Sequence, residues 1–126
     1  MSNLLQQNAY LRNSIDTAQP AQLLIMLYDG AIKFAKLTIE AIKENKIAEA
    51  HNYNLRVQNI IEELMSTLNH DYEISKQLHS LYEFYLHLLI TANMTKDIAP
   101  IQEFLAQFTE LRNSWLQASK VARSNG

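Results

Sequence analysis

Two histidines and a glutamate that could ligate a metal ion follow one another at intervals of four residues, as His79, Glu83 and His87. This spacing places the imidazoles and the carboxylate on one face of a helix. Zinc sites in proteins enclose three or four such ligands. This face, however, lies opposite the apolar stripe of its own segment and is predicted to face solvent. We therefore expect no metal site here.

Catalytic chemistry has little support elsewhere in the sequence. Di-iron bundles carry a histidine three residues after a glutamate, so that both ligands point inward, and no glutamate here has that neighbour. A phosphotransfer module would need an exposed histidine in a His-x-x-Lys-Gly context, which none of the four histidines has. Gly-rich phosphate loops are also missing, and carboxylates such as Glu62 and Glu103 lie on predicted polar faces. We predict that the protein is not an enzyme and uses no cofactor.

Composition limits the remaining classes of protein. The chain has 126 residues, enough for one domain with its own core, and 48% of them are hydrophobic. Two glycines and two prolines are too few for the turns of a many-stranded sheet. Cysteine is absent, and a net charge of −2 with scattered basic residues indicates no nucleic-acid partner. Without a signal-peptide pattern or a long apolar run, we expect no membrane insertion and a cytoplasmic location.

Four segments show the apolar periodicity of amphipathic helices. They are predicted at residues 20–44, 47–68, 72–95 and 98–119. Pro20 and Pro100 fall in the first turns of two of them, where a missing N–H is tolerated. Because the breaks are short, successive helices must be antiparallel neighbours. We predict an all-α, antiparallel, up-down-up-down four-helix bundle with an N-terminal apolar cap segment.

The bundle is predicted to occupy residues 17–119 of a single domain. Residues 1–16 form the cap segment, since they contain more apolar side chains than a disordered tail requires, and residues 120–126 are typical of a flexible tail. The apolar stripe of the third helix is predicted to run from Ile74 to Ala92. The large side chains assigned to the core are Leu81, Tyr82, Tyr85, Phe108 and Trp115.

The first helix carries more apolar surface than one core face requires. Ile25, Tyr28, Ile32 and Ile39 widen its apolar arc to ~200°, against the ~100° stripe of a typical surface helix. Leu55 likewise lies off the stripe of the second helix. One interpretation is that a bundle helix touches two neighbours, which widens the arc by itself. The other is a groove that receives an amphipathic partner.

Gly30 lies in the middle of this first helix, where glycine is roughly 1 kcal/mol less favourable than alanine. Its position directly after Tyr28 and Asp29 indicates that something approaches the helix closely at this point. Either a neighbouring helix or the backbone of a bound ligand would explain it.

Four stretches of the sequence, in this order along the chain, resemble the conserved motifs of one protein family. The strongest is 17–31, which begins Thr-Ala-Gln-Pro and ends Leu-Tyr-Asp-Gly-Ala. The others are 56–64, 81–93 and 111–115. In these stretches, and over most of the chain from Tyr10 to Trp115, the sequence resembles the flagellar secretion chaperone (FliS) family. Two departures are visible: Gln19 replaces the family's serine cap, and residues 70–72 replace a Gly-Gly often found between the second and third helices.

The resemblance implies a function and a partner. Members of the family bind the C-terminal segment of flagellin, which is disordered before filament assembly, and so prevent premature polymerisation in the cytoplasm. They also aid delivery to the flagellar type III export apparatus, which is a further candidate partner together with other flagellar regulators. The N-terminal segment is implied to cover part of the binding surface, with Tyr10 and Leu11 as anchors. Direct contact of Tyr10 with flagellin is the alternative.

We expect the flagellin-binding groove on the outer surface of the bundle. Its predicted residues are Ile25, Tyr28, Asp29, Ile32, Leu55, Arg56, Ile60 and Asn93, in addition to Tyr10 and Leu11. For Tyr28 and Ile60 an ordinary core position is the alternative, and Asn93 could simply close the third helix. Two other functions stay open: a structural bundle that self-associates, and a phosphotransfer-type signalling module. We expect a monomer or a weak homodimer.

Overall fold

The computed structural model describes residues 20–125, with side chains described for 21–120. Within that range it contains four helices and no strand: α1 Pro20–Lys43, α2 Ile47–Ser66, α3 Glu73–Thr95 and α4 Ala99–Asn125. The number and order of the predicted helices are confirmed. The cap segment predicted at 1–16, with Tyr10 and Leu11, lies outside the described residues. α4 ends later than predicted, because it continues through residues that the sequence assigns to a flexible tail.

Each helix packs against two neighbours, in the cyclic order α1, α2, α3, α4 and back to α1. Within residues 20–125, diagonal helices have no backbone contact and meet through side chains in the centre. Short connections make each helix reverse direction beside its predecessor. The predicted antiparallel four-helix bundle is therefore confirmed.

Two left-handed residues close the helices at one end of the bundle. Asn45, with φ 59°, follows α1, and the amide of Lys46 donates to the Ala41 carbonyl at 2.8 Å. This pattern terminates a helix, and asparagine adopts the required backbone more readily than most residues. Lys96, with φ 55°, ends α3 through a 2.7 Å bond from its amide to the Ala92 carbonyl. These tight ends allow α2 and α4 to begin directly beside the helices that precede them.

Aromatic side chains fill the centre of the bundle. The rings of Tyr28 and Phe108 stack with centroids 4.2 Å apart and planes 9° apart. Tyr85 packs edge-on against Phe108 at 5.7 Å, and Phe104 continues the stack at 4.8 Å from Phe108. Stacked and edge-to-face pairs contribute about 0.5–1.5 kcal/mol each beyond the area that they bury. These contacts hold α1, α3 and α4 together.

The predicted core is confirmed for most of its large side chains. Tyr82, Tyr85 and Phe108 are buried, and Leu81 and Trp115 pack against the core from its edge. Ile74, the first residue of the apolar stripe predicted for the third helix, does not reach the core, because 56% of its surface is exposed. Ile74 lies in the first turn of α3, where neighbouring helices supply little cover. Apolar periodicity alone does not predict that neighbouring helices give less cover at the end of a helix.

Candidate functional site

Tyr28 lies inside the bundle and not in a surface groove. Its side chain is 0% exposed, and its ring is covered by Phe108. The hydroxyl lies 2.6 Å from that of Tyr82 and accepts a 3.1 Å bond from Trp115 Nε1. Burial, with Tyr82 as a further cause, raises the pKa of Tyr28 well above its ordinary value. The assignment of Tyr28 to a groove is therefore corrected to a core position.

An ion pair crosses the seam between α1 and α4. Arg112 donates from Nε to Asp29 Oδ1 at 2.8 Å and from Nη2 to Asp29 Oδ2 at 3.4 Å. The hydrogen bond and charge of the Asp29 carboxylate raise the pKa of the guanidinium. Ile25 lies one turn before Asp29 and Ile32 one turn after it, and both are half-buried. The structure thus brings Ile25, Asp29 and Ile32 together along this seam.

The seam between α1 and α2 holds a cation over aromatic rings. The rings of Phe34 and Tyr53 lie 6.2 Å apart, and the Arg56 guanidinium lies 5.1 Å from the Phe34 centroid. Such contacts contribute about 0.5–1 kcal/mol at exposed sites. Ile60, one turn beyond Arg56, is partly buried and packs against the core. Arg56 and Ile60 therefore lie together, but across α1 from Ile25.

Gly30 leaves a notch in this α1–α2 seam. Its backbone φ is not positive, so the helix itself does not require glycine. A methyl group added at Gly30 would lie 3.4 Å from Ile60 Cδ1, which is an ordinary contact distance. Packing against α2 therefore does not demand glycine either. Because Ile60 already lies beside the position of that methyl, close packing of α2 and the approach of a bound chain both remain explanations for the glycine.

Apolar side chains line both sides of α1, although its inner face is already filled. The outward row is polar and carries Lys33, Lys36 and Glu40. Half-buried aliphatic residues lie between this row and the core on each side. On the α2 side they are Leu23, Met26 and Leu37, and on the α4 side they are Ile25, Ile32 and Ile39. We call these two sets the α1 edges.

Two predicted site residues lie away from the α1 edges. Leu55 is on the outer surface of α2 and is 39% exposed. Asn93 lies at the α2–α3 seam, where its Nδ2 donates to His51 Nδ1 at 2.9 Å and its Oδ1 accepts from Lys96 Nζ at 2.6 Å. The bond to Lys96 agrees with a role in closing α3. The structure therefore divides the predicted groove among several surfaces.

Of the three residues in α3 with the spacing of metal ligands, His79, Glu83 and His87, the first two form a pair. His79 Nδ1 and Glu83 Oε1 are 3.0 Å apart on neighbouring turns. Among the described residues, no group of three or more histidine, cysteine, aspartate or glutamate side chains is arranged to hold a metal ion. In the same part of the chain, no helix is both long and apolar enough to cross a lipid bilayer.

Sequence reasoning missed a polar residue in the core. Asn54 is 1% exposed; its Nδ2 donates to the Leu89 carbonyl at 3.0 Å and its Oδ1 accepts from Gln58 Nε2 at 2.7 Å. Helical spacing could have revealed it, because Asn54 shares the apolar stripe of Val57 and Ile61. A buried amide bonded to the backbone of the adjacent helix fixes the register of α2 against α3.

Both the sequence and the fold are similar to those of known proteins. The family model described as "Flagellar protein FliS" matches residues 1–122. The chain belongs to the FliS family. The resemblance seen in four stretches of the sequence is therefore confirmed over nearly the whole chain.

Curated FliS proteins are similar along most of their length. The flagellar secretion chaperone FliS of Bacillus subtilis (strain 168) is 39% identical over 118 residues, covering 93% of this chain and 88% of that protein. The flagellar secretion chaperone FliS of Campylobacter jejuni is 30% identical and covers 91% of this chain and 91% of that protein. FliS is thus a family of flagellar secretion chaperones, which act in flagellum biogenesis and protein export.

A solved structure supports the fold independently. It is described as "Crystal structure of flagellar chaperone from bacteria" and has a TM-score of 0.77 against this chain at 21% identity. The match covers 94% of this chain and 98% of that one. At this identity, the likeness shows that the two chains share a fold.

Proposed function

We propose that the protein binds the C-terminal segment of flagellin along the α1 edges and holds it for export. One observation carries the proposal. The inner face of α1 is filled by Tyr28, Ala31 and Ala35, yet half-buried aliphatic side chains remain on both of its sides. Membership of the FliS family supports the choice of partner, since its relatives are named flagellar secretion chaperones. The role requires binding and no catalysis.

Both edges suit an amphipathic segment that has little stable structure of its own. A bound segment can place apolar side chains beside Ile25 and Ile32 on one seam and beside Met26 on the other. Full burial of one aliphatic side chain contributes about 1.5–3 kcal/mol. Ordering the segment opposes this gain by about 2–5 kcal/mol or more. The balance gives a complex that forms readily and can be released without a nucleotide.

Coverage of the flagellin segment accounts for the chaperone role. The segment is held apart from other flagellin molecules, so premature polymerisation in the cytoplasm is prevented. Release then takes place at the flagellar type III export apparatus. The notch at Gly30 supports the α2 side as part of this surface, because a backbone can approach closely where no side chain projects.

The N-terminal segment acts as a lid in this proposal. Residues 4–15, with Tyr10 and Leu11 as anchors, cover an α1 edge until flagellin displaces them. Deletion of residues 1–15 should therefore strengthen flagellin binding or promote self-association. Weaker binding after the deletion, with the same loss from Tyr10→Ala, would identify a direct contact with flagellin instead.

Titration of the full chain with a flagellin C-terminal peptide tests the surface. Ile25→Asp on the α4 side and Met26→Asp on the α2 side place a carboxylate where an apolar partner docks. Each should weaken binding at least about tenfold, or 1.4 kcal/mol. Ile74→Asp is the matched control, because Ile74 is 56% exposed on a helix that does not pack against α1. Its binding should equal that of the unaltered chain.

Calorimetry at two temperatures tests the identity of the partner and the location of the binding surface independently of each other. Burial of apolar area should give saturable binding with a negative heat-capacity change. Absence of binding by the unaltered chain would refute flagellin as the partner. If binding is saturable but Ile25→Asp and Met26→Asp leave it unchanged, flagellin is still supported as the partner. The α1 edges are then refuted as the binding surface.

A further inference from the structure

Two cations converge on one aromatic ring at the α2 side of α1. The Lys33 ammonium lies 5.7 Å from the centroid of the Phe34 ring, and the Arg56 guanidinium lies 5.1 Å from the same centroid. Arg56 also lies 6.0 Å from the centroid of the Tyr53 ring. Lys33 is exposed and Arg56 is half-buried. The rings therefore gather like charges from α1 and α2 at the surface of their seam.

The two helices supply little negative charge beside these cations. Residues 30–39 of α1 and residues 50–61 of α2 include no aspartate or glutamate. Asp29 lies one turn before Lys33, but both of its carboxylate oxygens accept hydrogen bonds from Arg112 on the α4 side. Within residues 20–125, Lys33 forms no ion pair. The α2 side of α1 thus presents a local excess of positive charge.

Aliphatic side chains lie before and after this positive charge along α1. Met26 is seven residues before Lys33 and Leu37 is four residues after it, which corresponds to about 10 Å and 6 Å along the helix axis. Met26 and Leu37 are both half-buried. Intervals of seven and four residues fall on one face of a helix. A single helical segment beside α1 can therefore reach all three positions.

We infer that the segment bound on this side of α1 places a carboxylate between Lys33 and Arg56. The inference rests on the proposed function and specifies the chemistry of the partner, which carries an aspartate or glutamate seven residues from one apolar residue and four from another. A carboxylate at this place offsets the repulsion between the two cations. Because the aromatic rings displace water from both cations, the attraction is stronger than between fully solvated charges.

Charge distinguishes the two α1 edges from each other. On the α4 side, the Arg112 guanidinium is already paired with Asp29 at 2.8 Å. On the α2 side, Lys33 and Arg56 share the Phe34 ring. An acidic segment is therefore directed to the α2 side, and a segment with a lysine or arginine at this place is rejected. The two cations determine the register and specificity of binding more than its affinity.

Titration of the full chain with a flagellin C-terminal peptide tests the inference through Lys33→Glu. Lys33 is exposed, so the variant should fold as the unaltered chain does, which thermal melting verifies. Reversal of this charge should weaken binding at least about fivefold. The loss should shrink as sodium chloride is raised from about 50 mM to about 500 mM, because salt screens exposed charges.

Lys76→Glu is the matched control. It makes the same change of charge at an exposed position of α3, a helix that does not pack against α1. Its binding should equal that of the unaltered chain. Equal binding by Lys33→Glu and Lys76→Glu would refute the carboxylate between Lys33 and Arg56 and leave flagellin as the partner.

A charge exchange between the two molecules identifies the partner's carboxylate. Each acidic residue of the peptide is replaced by lysine in turn. One replacement should weaken binding to the unaltered chain and restore binding to Lys33→Glu, since the two changes are coupled only if the residues meet. If no replacement restores binding, the inference is wrong. Absence of binding between the unaltered chain and the unaltered peptide would instead refute the proposed function, and this inference with it.

Discussion

The hydroxyl of Tyr28 lies 2.6 Å from that of Tyr82, and this bond joins α1 to α3 across the diagonal of the bundle. In the described bundle these two helices have no backbone contact, so the connection depends on side chains. Trp115 Nε1 of α4 donates to the same Tyr28 oxygen at 3.1 Å, so three helices meet at one buried atom. Because an unbonded polar group is unfavourable in a core, the three residues act as a unit.

Tyr28→Phe should therefore lower the free energy of unfolding by about 1–3 kcal/mol, since the Trp115 N–H and the Tyr82 hydroxyl both lose a partner. The ring and its stack on Phe108 remain, so the bundle should still fold. Chemical denaturation measures the loss, and emission from the single tryptophan reports the change at its N–H. Tyr72→Phe is the control, because Tyr72 is 63% exposed. An equal loss from the control would contradict this account.

Stability should fall in alkaline solution. Burial raises the pKa of Tyr85 to about 12 and raises the pKa values of Tyr28 and Tyr82 as well. In the unfolded chain, tyrosine titrates near pH 10 (about its model value). As the pH rises above that point, the unfolded state loses protons that the folded state retains, so the free energy of unfolding decreases. Urea denaturation should show a lower midpoint at about pH 11 than at about pH 8. An unchanged midpoint would refute the burial of these phenols.

The helices could be predicted because their apolar residues recur with little interruption, and the topology because their connections are short. In α3, for example, buried side chains recur at helical spacing from Leu78 to Ala92. Periodicity measures the angle of a residue around one helix, however, and not which neighbour lies at that angle. Asp29 and Arg56 were predicted to lie in one groove, yet they lie on opposite sides of α1.

Tyr28 shows a second limit of the sequence. Its position at the margin of the apolar stripe of α1 is compatible with both a groove and the core. The partners of its hydroxyl decide the matter, and they lie 54 and 87 residues away along the chain. No local pattern connects residues so far apart, so the buried hydrogen bonds become visible only in the folded bundle.

Asn54→Asp should destabilise the protein at neutral pH and do less harm as the pH falls. A carboxylate would face the Leu89 carbonyl at the position where the amide now donates at 3.0 Å. Burial raises the pKa of such a carboxyl, which can donate again once it is protonated. The variant therefore keeps the stabilising contribution of the protonated carboxyl below about pH 3.9, the ordinary pKa of aspartate in the unfolded chain. It loses this contribution as the pH rises through the higher pKa of the same carboxyl in the folded chain.

Thermal melting between about pH 4 and pH 7 measures this trend for Asn54→Asp against the unaltered chain. Asn59→Asp is the matched control, because Asn59 is exposed on the same helix. Its difference from the unaltered chain should stay nearly constant with pH. A parallel trend in both variants would show that the carboxyl at 54 is solvated and that the core bond to Leu89 contributes little.

Gly30→Ala should move stability and binding in opposite directions. Alanine is more favourable than glycine within a helix by up to about 1 kcal/mol, and the new methyl meets Ile60 Cδ1 at 3.4 Å without a forced shift. The midpoint of denaturation should therefore rise. The same methyl fills the notch that the proposed function gives to the flagellin backbone, so titration should show weaker binding.

Ser114→Ala, at an exposed position of α4, raises helix propensity without touching the notch and should leave binding unchanged. If Gly30→Ala stabilises the chain and binds flagellin as tightly as before, the notch is not part of the binding surface. If it destabilises the chain, Ile60 does not accommodate the methyl, and close packing of α2 is the reason for the glycine.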